Sequence, residues 1–161
     1  MTHTKLEKLA HDAGVVLKTH NLKLATAESC TGGGLAYYIT AIPGSSNWFD
    51  RGFVTYSNQA KIDMLGVKAT TLDKDGAVSE AVAREMAEGA LKNSEADISI
   101  AITGIAGPDG GTKEKPVGTV WIALAKKGKE TITALHHYQG DRFEIRERTI
   151  ESALHQIIEK A

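Results

Sequence analysis

A single cysteine, Cys30, excludes an internal disulfide and any cysteine-rich metal site. So solitary a thiol also suits a reducing compartment. An excess of charge of one sign is missing as well: 19 lysines and arginines stand against 20 aspartates and glutamates, and no block of like charge interrupts the chain. That balance gives no footing to a nucleic-acid arm or a membrane-surface patch, so neither partner is expected. The opening stretch MTHTKLEKLAHDAG lacks the basic start and apolar run of a signal peptide, and no later segment is apolar for long enough to span a bilayer. The expected location is cytoplasmic. Repeats, linkers and low-complexity tracts are absent too, and 161 residues with 42% hydrophobic content suffice for the core of one domain, expected to occupy residues 1–161.

What is present is a regular alternation of periodic segments. Leu6, Leu9, Ala10, Ala13, Val16 and Leu17 recur at helical spacing ahead of a strand near 23–27, and a glycine-rich turn, TGGG, follows. A helix over 35–42 stops at Pro43-Gly44, and 49–56 has the β-branched and aromatic content of a second strand. SNQAKIDMLG reads as a short helix with Ser57 as N-cap and Gly66 just past its end. Ser79 opens another helix that ends near Asn93. DISIAIT (97–103) is a buried strand, VGTVWIALA and TITALHHY form a hairpin, and Asp141 with Glu144 sets a capping box ahead of the last helix. This order implies an α/β fold of three layers, α/β/α, with a mixed, mostly parallel sheet flanked by helices.

Two glycine-rich segments, Thr31 to Gly34 and Gly104 to Gly111, each follow a strand, where open α/β sheets place their ligands. Glycine lets main-chain N–H groups approach an anion, although glycines also serve simply to turn a chain. The first segment matches neither a dinucleotide fingerprint nor a phosphate loop, and both readings stay open for it. The second, GIAGPDGGTKEKP, is longer and richer than a turn requires, which favours binding.

Ser29, Cys30 and Thr31 offer three nucleophiles at the first turn. Neighbouring strand residues point oppositely, so Ser29 and Cys30 do not share a pocket; a lone cysteine packs as a small hydrophobe, and Thr31 suits a helix cap or an anion contact. Ser29 becomes a nucleophile only with a base, and none of the six histidines lies near either glycine segment in sequence. A desolvated lysine can take that role. Lys61, one short helix past the second strand, is a candidate, with Tyr56 at the strand end, although spacing alone favours a solvated lysine. His136 and His137 point to opposite faces of a strand and form no joint metal site; Arg142 is either a solvated charge or a phosphate clamp.

Taken together, TAESCTGG, GSSNWFDRGFVTYSNQAK, GAVSE, ITGIAGPDGGTKEKPVGTVWIAL and GDR resemble the CinA C-terminal domain family, from about Thr26 to Arg142. The resemblance implies a nicotinamide-nucleotide amidohydrolase, acting on a linear-type carboxamide: nicotinamide mononucleotide becomes nicotinate mononucleotide and ammonia, in pyridine-nucleotide recycling. It implies no metal, and no cofactor is expected. It places a serine nucleophile on Ser29, with Lys61 and Tyr56 as its lysine and tyrosine. With no preceding domain of the two-domain kind, the chain is expected to be the stand-alone enzyme. The turn Thr31, Gly32, Gly33 is then expected to hold the oxyanion, and Thr103, Gly104, Ile105, Ala106 and Gly107, with Arg142, the phosphate. The small nucleotide is the expected partner, and a homo-oligomer, dimer or larger, is expected. The rival is a non-catalytic nucleotide-binding module of the CinA type, which needs the glycine loops but no nucleophile and amine base; an amidase with Cys30 as nucleophile is a further alternative.

Overall fold

Two short segments that are apolar on both sides, LATAE and ISIAITG, form the middle of a five-stranded sheet in the computed structural model, which describes residues 2–161. They are β1 (Leu24–Glu28) and β3 (Ile98–Gly104); the others are β2 (Phe49–Val54), β4 (Thr119–Lys126) and β5 (Ile132–His137), in the order β2-β1-β3-β4-β5. β1 pairs in parallel with β2 and β3, and β4 runs antiparallel to β3 and β5. All strands but β4 therefore point the same way, giving the mixed, mostly parallel sheet that the pattern predicts. Strands buried on both faces need a helical layer on each side.

Those layers are α1 (Thr2–Thr19), α2 (Gly34–Thr40) and α6 (Arg142–Lys160) on one face, and α3 (Asn58–Leu65), α4 (Ala69–Asp75) and α5 (Glu80–Lys92) on the other. The first core is built of large side chains: Leu6 and Leu17 of α1, Leu35 and Ile39 of α2 and Leu154 of α6 meet Ile98, Ile100 and Ile102 of β3. The second is built of small ones, with Ala83, Ala87 and Ala90 of α5 against Ala27, Ala101, Ala123 and Ala125. Small residues on both partners let α5 lie close to the sheet. No helix among the described residues is long and apolar enough to cross a membrane.

Most elements form where their signals lie. Ser57 Oγ accepts from the Ala60 N–H at 3.0 Å, and Gly66 leaves α3 in a left-handed conformation at φ 69°. At α6, Asp141 and Glu144 complete both halves of the capping box. One helix had no signal: α4 (ATTLDKD) buries only Leu72 and has no side-chain cap. β1 also lies one residue later than 23–27 predicts, which brings Glu28 into the strand.

α5 and α3 meet backbone to backbone at Gly89, where a Cβ would stand 1.9 Å from the Leu65 carbonyl oxygen. Gly89→Ala gains about 1 kcal/mol of helix propensity but forces the two helices apart, a clash at the upper end of overpacking costs, about 3 kcal/mol. The expected net destabilisation of about 2 kcal/mol is read from the urea midpoint at unchanged m-value. α3 carries Lys61 one turn before Leu65, so the same displacement reaches the site described next.

Candidate active site

The three parallel strands end together: Glu28 is in register with Val54 on one side and Ile102 on the other. From there the connection of β1 runs to β2 and that of β3 to β4, in opposite directions along the sheet, and a crevice opens between the diverging loops. Ser29 forms its floor. Its N–H donates to the Ile102 carbonyl at 3.0 Å, which extends the β1–β3 pairing by one residue and fixes the side chain on the α3 face. The Cys30 side chain falls on the other face, 6% exposed, within the large-residue core, but the residue also lines the crevice beside Ser29, so the two do share a pocket, contrary to expectation. Burial above all pushes its thiol up to about 12, so it stays neutral and packs as the alternation predicts.

Lys61 is 1% exposed. Its Nζ lies 3.0 Å from Ser29 Oγ, 3.0 Å from the Thr55 carbonyl oxygen and 3.1 Å from that of Tyr56, and no carboxylate touches it among the described residues. Desolvation lowers its pKa from the ordinary lysine value. All three partners can accept from an ammonium; in the neutral amine the two N–H groups go to the Thr55 and Tyr56 carbonyls, which only accept, and the lone pair faces the Ser29 hydroxyl.

Tyr56 reaches Lys61 through its main-chain carbonyl and not through its phenol. The ring is 60% exposed, and its hydroxyl accepts from Arg142 Nη2 at 3.1 Å, while Arg142 Nη1 donates to the Gly107 carbonyl at 2.7 Å. Thr103, Gly104, Ile105, Ala106 and Gly107 complete the wall, pinned by the Thr103 hydroxyl on the Ala77 carbonyl at 2.8 Å. Together these residues enclose a cleft of about 280 Å³. An apolar hollow of about 500 Å³, lined by Pro108 and Phe143, adjoins it and shares Ala106 and Arg142. The N–H groups of Ala106 and Gly107 donate to no protein acceptor among the described residues. A hollow of about 390 Å³ between α3 and α5 lies apart from this chemistry.

The turn after Ser29 differs from expectation. Thr31 is buried, its hydroxyl donating inward to Glu28 Oε1 at 2.6 Å, so it neither caps α2 nor offers that hydroxyl to an anion. The capping group is Glu28 itself, 1% exposed, which accepts from the N–H groups of Leu35 at 2.9 Å and Ala36 at 3.0 Å and sets a carboxylate at the positive end of α2. Gly32 and Gly33 reverse the chain at φ 58° and 98°, and the Gly32 N–H is consumed by the Ser29 carbonyl at 3.0 Å. Thr31, Gly32 and Gly33 do not line the cleft. The N–H groups of Cys30 and Thr31, one and two residues past Ser29, have no protein acceptor among the described residues, and of these two residues Cys30 lines the cleft.

Residues 6–161 match the family described as CinA C-terminal domain. The chain belongs to that family. Over 154 residues it is 53% identical to the nicotinamide-nucleotide amidohydrolase PncC of Escherichia coli, covering 96% of this chain and 93% of that protein. Its identity to the PncC of Enterobacter agglomerans is 51% over 146 residues, 91% of this chain and 89% of that protein. Among solved structures, the competence/damage inducible protein CihA of Agrobacterium tumefaciens matches with a TM-score of 0.93 at 46% identity, over 96% of this chain and 94% of that one.

In this CinA-family domain two site residues escaped the sequence reading. Glu28 had one signal, an acid at the end of an otherwise apolar strand directly before the candidate nucleophile. Arg146 stands one helical turn after Arg142, spacing that aims both guanidiniums at the same end of the sheet. No group of three or more histidine, cysteine, aspartate or glutamate side chains among the described residues is arranged to hold a metal ion.

Proposed function

We propose that this chain hydrolyses the carboxamide of nicotinamide mononucleotide to nicotinate mononucleotide and ammonia, with Ser29 as nucleophile and Lys61 as base. The observation that carries the reading is the buried Lys61 Nζ, 3.0 Å from Ser29 Oγ at the floor of a cleft, in a chain 53% identical to a nicotinamide-nucleotide amidohydrolase. A module that only binds nucleotides has no use for a desolvated amine held on a serine.

In this reading the Lys61 lone pair takes the Ser29 proton as Oγ attacks the carboxamide carbon. The C=O pair moves onto oxygen, and the oxyanion is held by main-chain N–H groups of the turn. Lys61, now an ammonium, passes its proton to the amide nitrogen, the C–N bond breaks, and ammonia leaves a Ser29 ester. Water, deprotonated by the same amine, attacks that ester; the acyl C–Oγ bond breaks, Lys61 returns the proton to Ser29 Oγ, and the acid product loses its proton to solvent as the nicotinate carboxylate. The Thr55 and Tyr56 carbonyls stabilise the transient ammonium, because each can accept one of its protons.

The phosphate lies against the free Ala106 and Gly107 N–H groups and Arg142. Two of the five guanidinium N–H donors are engaged by Gly107 and Tyr56, and the others are left for phosphate oxygens. Tyr56 thus orients Lys61 by its carbonyl and steadies Arg142 by its hydroxyl. The reading includes a cytoplasmic setting, a single-domain enzyme and a homo-oligomer. Exposed Tyr37, Val54 and Phe143 supply apolar surface for subunit contact.

Ammonia release from nicotinamide mononucleotide tests the reading. One ammonia per nicotinate mononucleotide is expected, with or without EDTA, and nicotinamide riboside, which lacks the phosphate, is expected to show a raised KM. Tight nucleotide binding with no ammonia released would establish the binding module instead.

A further inference from the structure

The nucleophile turn is gripped by a charge that the proposed reaction does not use. Arg146, on α6, is partly buried, and among the described residues its guanidinium contacts no carboxylate. Its Nε donates to the Cys30 carbonyl at 3.1 Å and its Nη2 to the Thr31 carbonyl at 3.2 Å, two successive peptide units immediately after the nucleophile. Arginine is the side chain suited to this, because its planar fork presents donors in a fixed geometry.

A trans peptide is planar, with its C=O and N–H pointing in opposite directions. Drawing the Cys30 carbonyl onto Arg146 therefore turns the Thr31 N–H away from α6. The next peptide unit is fixed at both ends: the Thr31 carbonyl also accepts from the Gly34 N–H at 3.0 Å, and the Gly32 N–H donates to the Ser29 carbonyl at 3.0 Å. Glu28 fixes the Thr31 side chain, accepting from its hydroxyl at 2.6 Å. The turn is thus held rigidly, and the Cys30 N–H, opposite the Ser29 carbonyl in its peptide and on a residue that lines the cleft, is left without a protein acceptor among the described residues.

We propose that Arg146 is a positioning residue for the oxyanion formed at Ser29: by holding the Cys30 and Thr31 carbonyls it fixes the turn that presents the Cys30 N–H, on the residue that lines the cleft, to the tetrahedral oxygen. The proposal rests on the reading of Ser29 as nucleophile. It separates two arginines one helical turn apart, with Arg142 serving the ground-state phosphate and Arg146 serving only the transition state.

Steady-state kinetics of Arg146→Met and Arg146→Lys, with thermal unfolding of each, provide the test. Loss of a transition-state donor lowers kcat and leaves KM in place, so Arg146→Met is expected to lose about a hundredfold in kcat with KM within about threefold. Arg146→Lys, able to donate to one carbonyl, is expected to recover about tenfold of that loss. An N-methylpyridinium-3-boronic acid, whose boron accepts the serine oxygen as a tetrahedral anion, is expected to bind Arg146→Met about a hundredfold more weakly, with nicotinate mononucleotide affinity unchanged. A merely structural staple would lower the unfolding temperature and shift both affinities together, or change neither. Either result overturns the proposal, as does unchanged kcat in a folded Arg146→Lys or Arg146→Met. Boronate binding equal in wild type and Ser29→Ala would overturn the nucleophile reading itself.

Discussion

Ser29→Ala is expected to lower kcat for ammonia release by about five to six powers of ten, the scale seen when a serine nucleophile that works as a unit with its base is removed. Affinity for nicotinate mononucleotide should persist, because the phosphate contacts assigned to Ala106, Gly107 and Arg142 do not involve the hydroxyl. Cys30→Ala gives the contrasting result. Its sulfur is buried in the α1, α2 and α6 core, and its thiol is pushed up to about 12, so the variant is expected to retain kcat within about threefold while losing about 1 kcal/mol of stability to a small cavity. The two variants are compared by ammonia release per active protein, with folding checked by circular dichroism. A Ser29→Ala loss below about tenfold would move the nucleophile elsewhere and sink the acyl-enzyme step.

What the sequence made legible follows from the range over which each signal acts. Local chemistry was readable: Ser57 and Gly66 bounded α3, and Asp141 with Glu144 gave the capping box of α6, because caps are decided within four residues. Alternation placed the Cys30 side chain in the core for the same reason, though not out of the cleft, which both residues line. α4 was invisible because it buries one residue and carries no cap. The pairing of Ser29 with Lys61 spans 32 positions and depends on α3 lying against the end of β1, so position alone offered Lys61 as a candidate while favouring a solvated lysine, and the family resemblance raised it. Glycine content identified the turn but not its donors. Which N–H groups remain free depends on Ser29 consuming that of Gly32, and on Arg146 and Glu28 gripping the turn, contacts that no local pattern encodes.

Lys61→Met is expected to lower kcat by about three to four powers of ten, since the variant keeps the length of the side chain and removes the base. The pH profile distinguishes a base from an electrostatic anchor. Desolvation lowers the Lys61 pKa, so kcat/KM of the wild type should rise with pH through that lowered value and then level off, as the amine becomes neutral and its lone pair faces Ser29. An anchor acting as a cation would give the opposite slope, with activity falling as Lys61 deprotonates. Lys61→Met should lack the limb altogether. Stability carries the same signature. Between the lowered folded pKa and the ordinary lysine value, the unfolded chain binds a proton that the folded chain does not, so stability of the wild type rises with pH across that window and falls as pH drops through it. The variant has no such slope from this position, but it leaves the Thr55 and Tyr56 carbonyls without their N–H donors, at about 1–3 kcal/mol each. The wild type should therefore exceed Lys61→Met most clearly above the ordinary lysine pKa, and the gap should narrow as pH falls, in urea titrations at fixed ionic strength. A gap that widened on acidification would place a stable ammonium at Lys61 and remove it as the base.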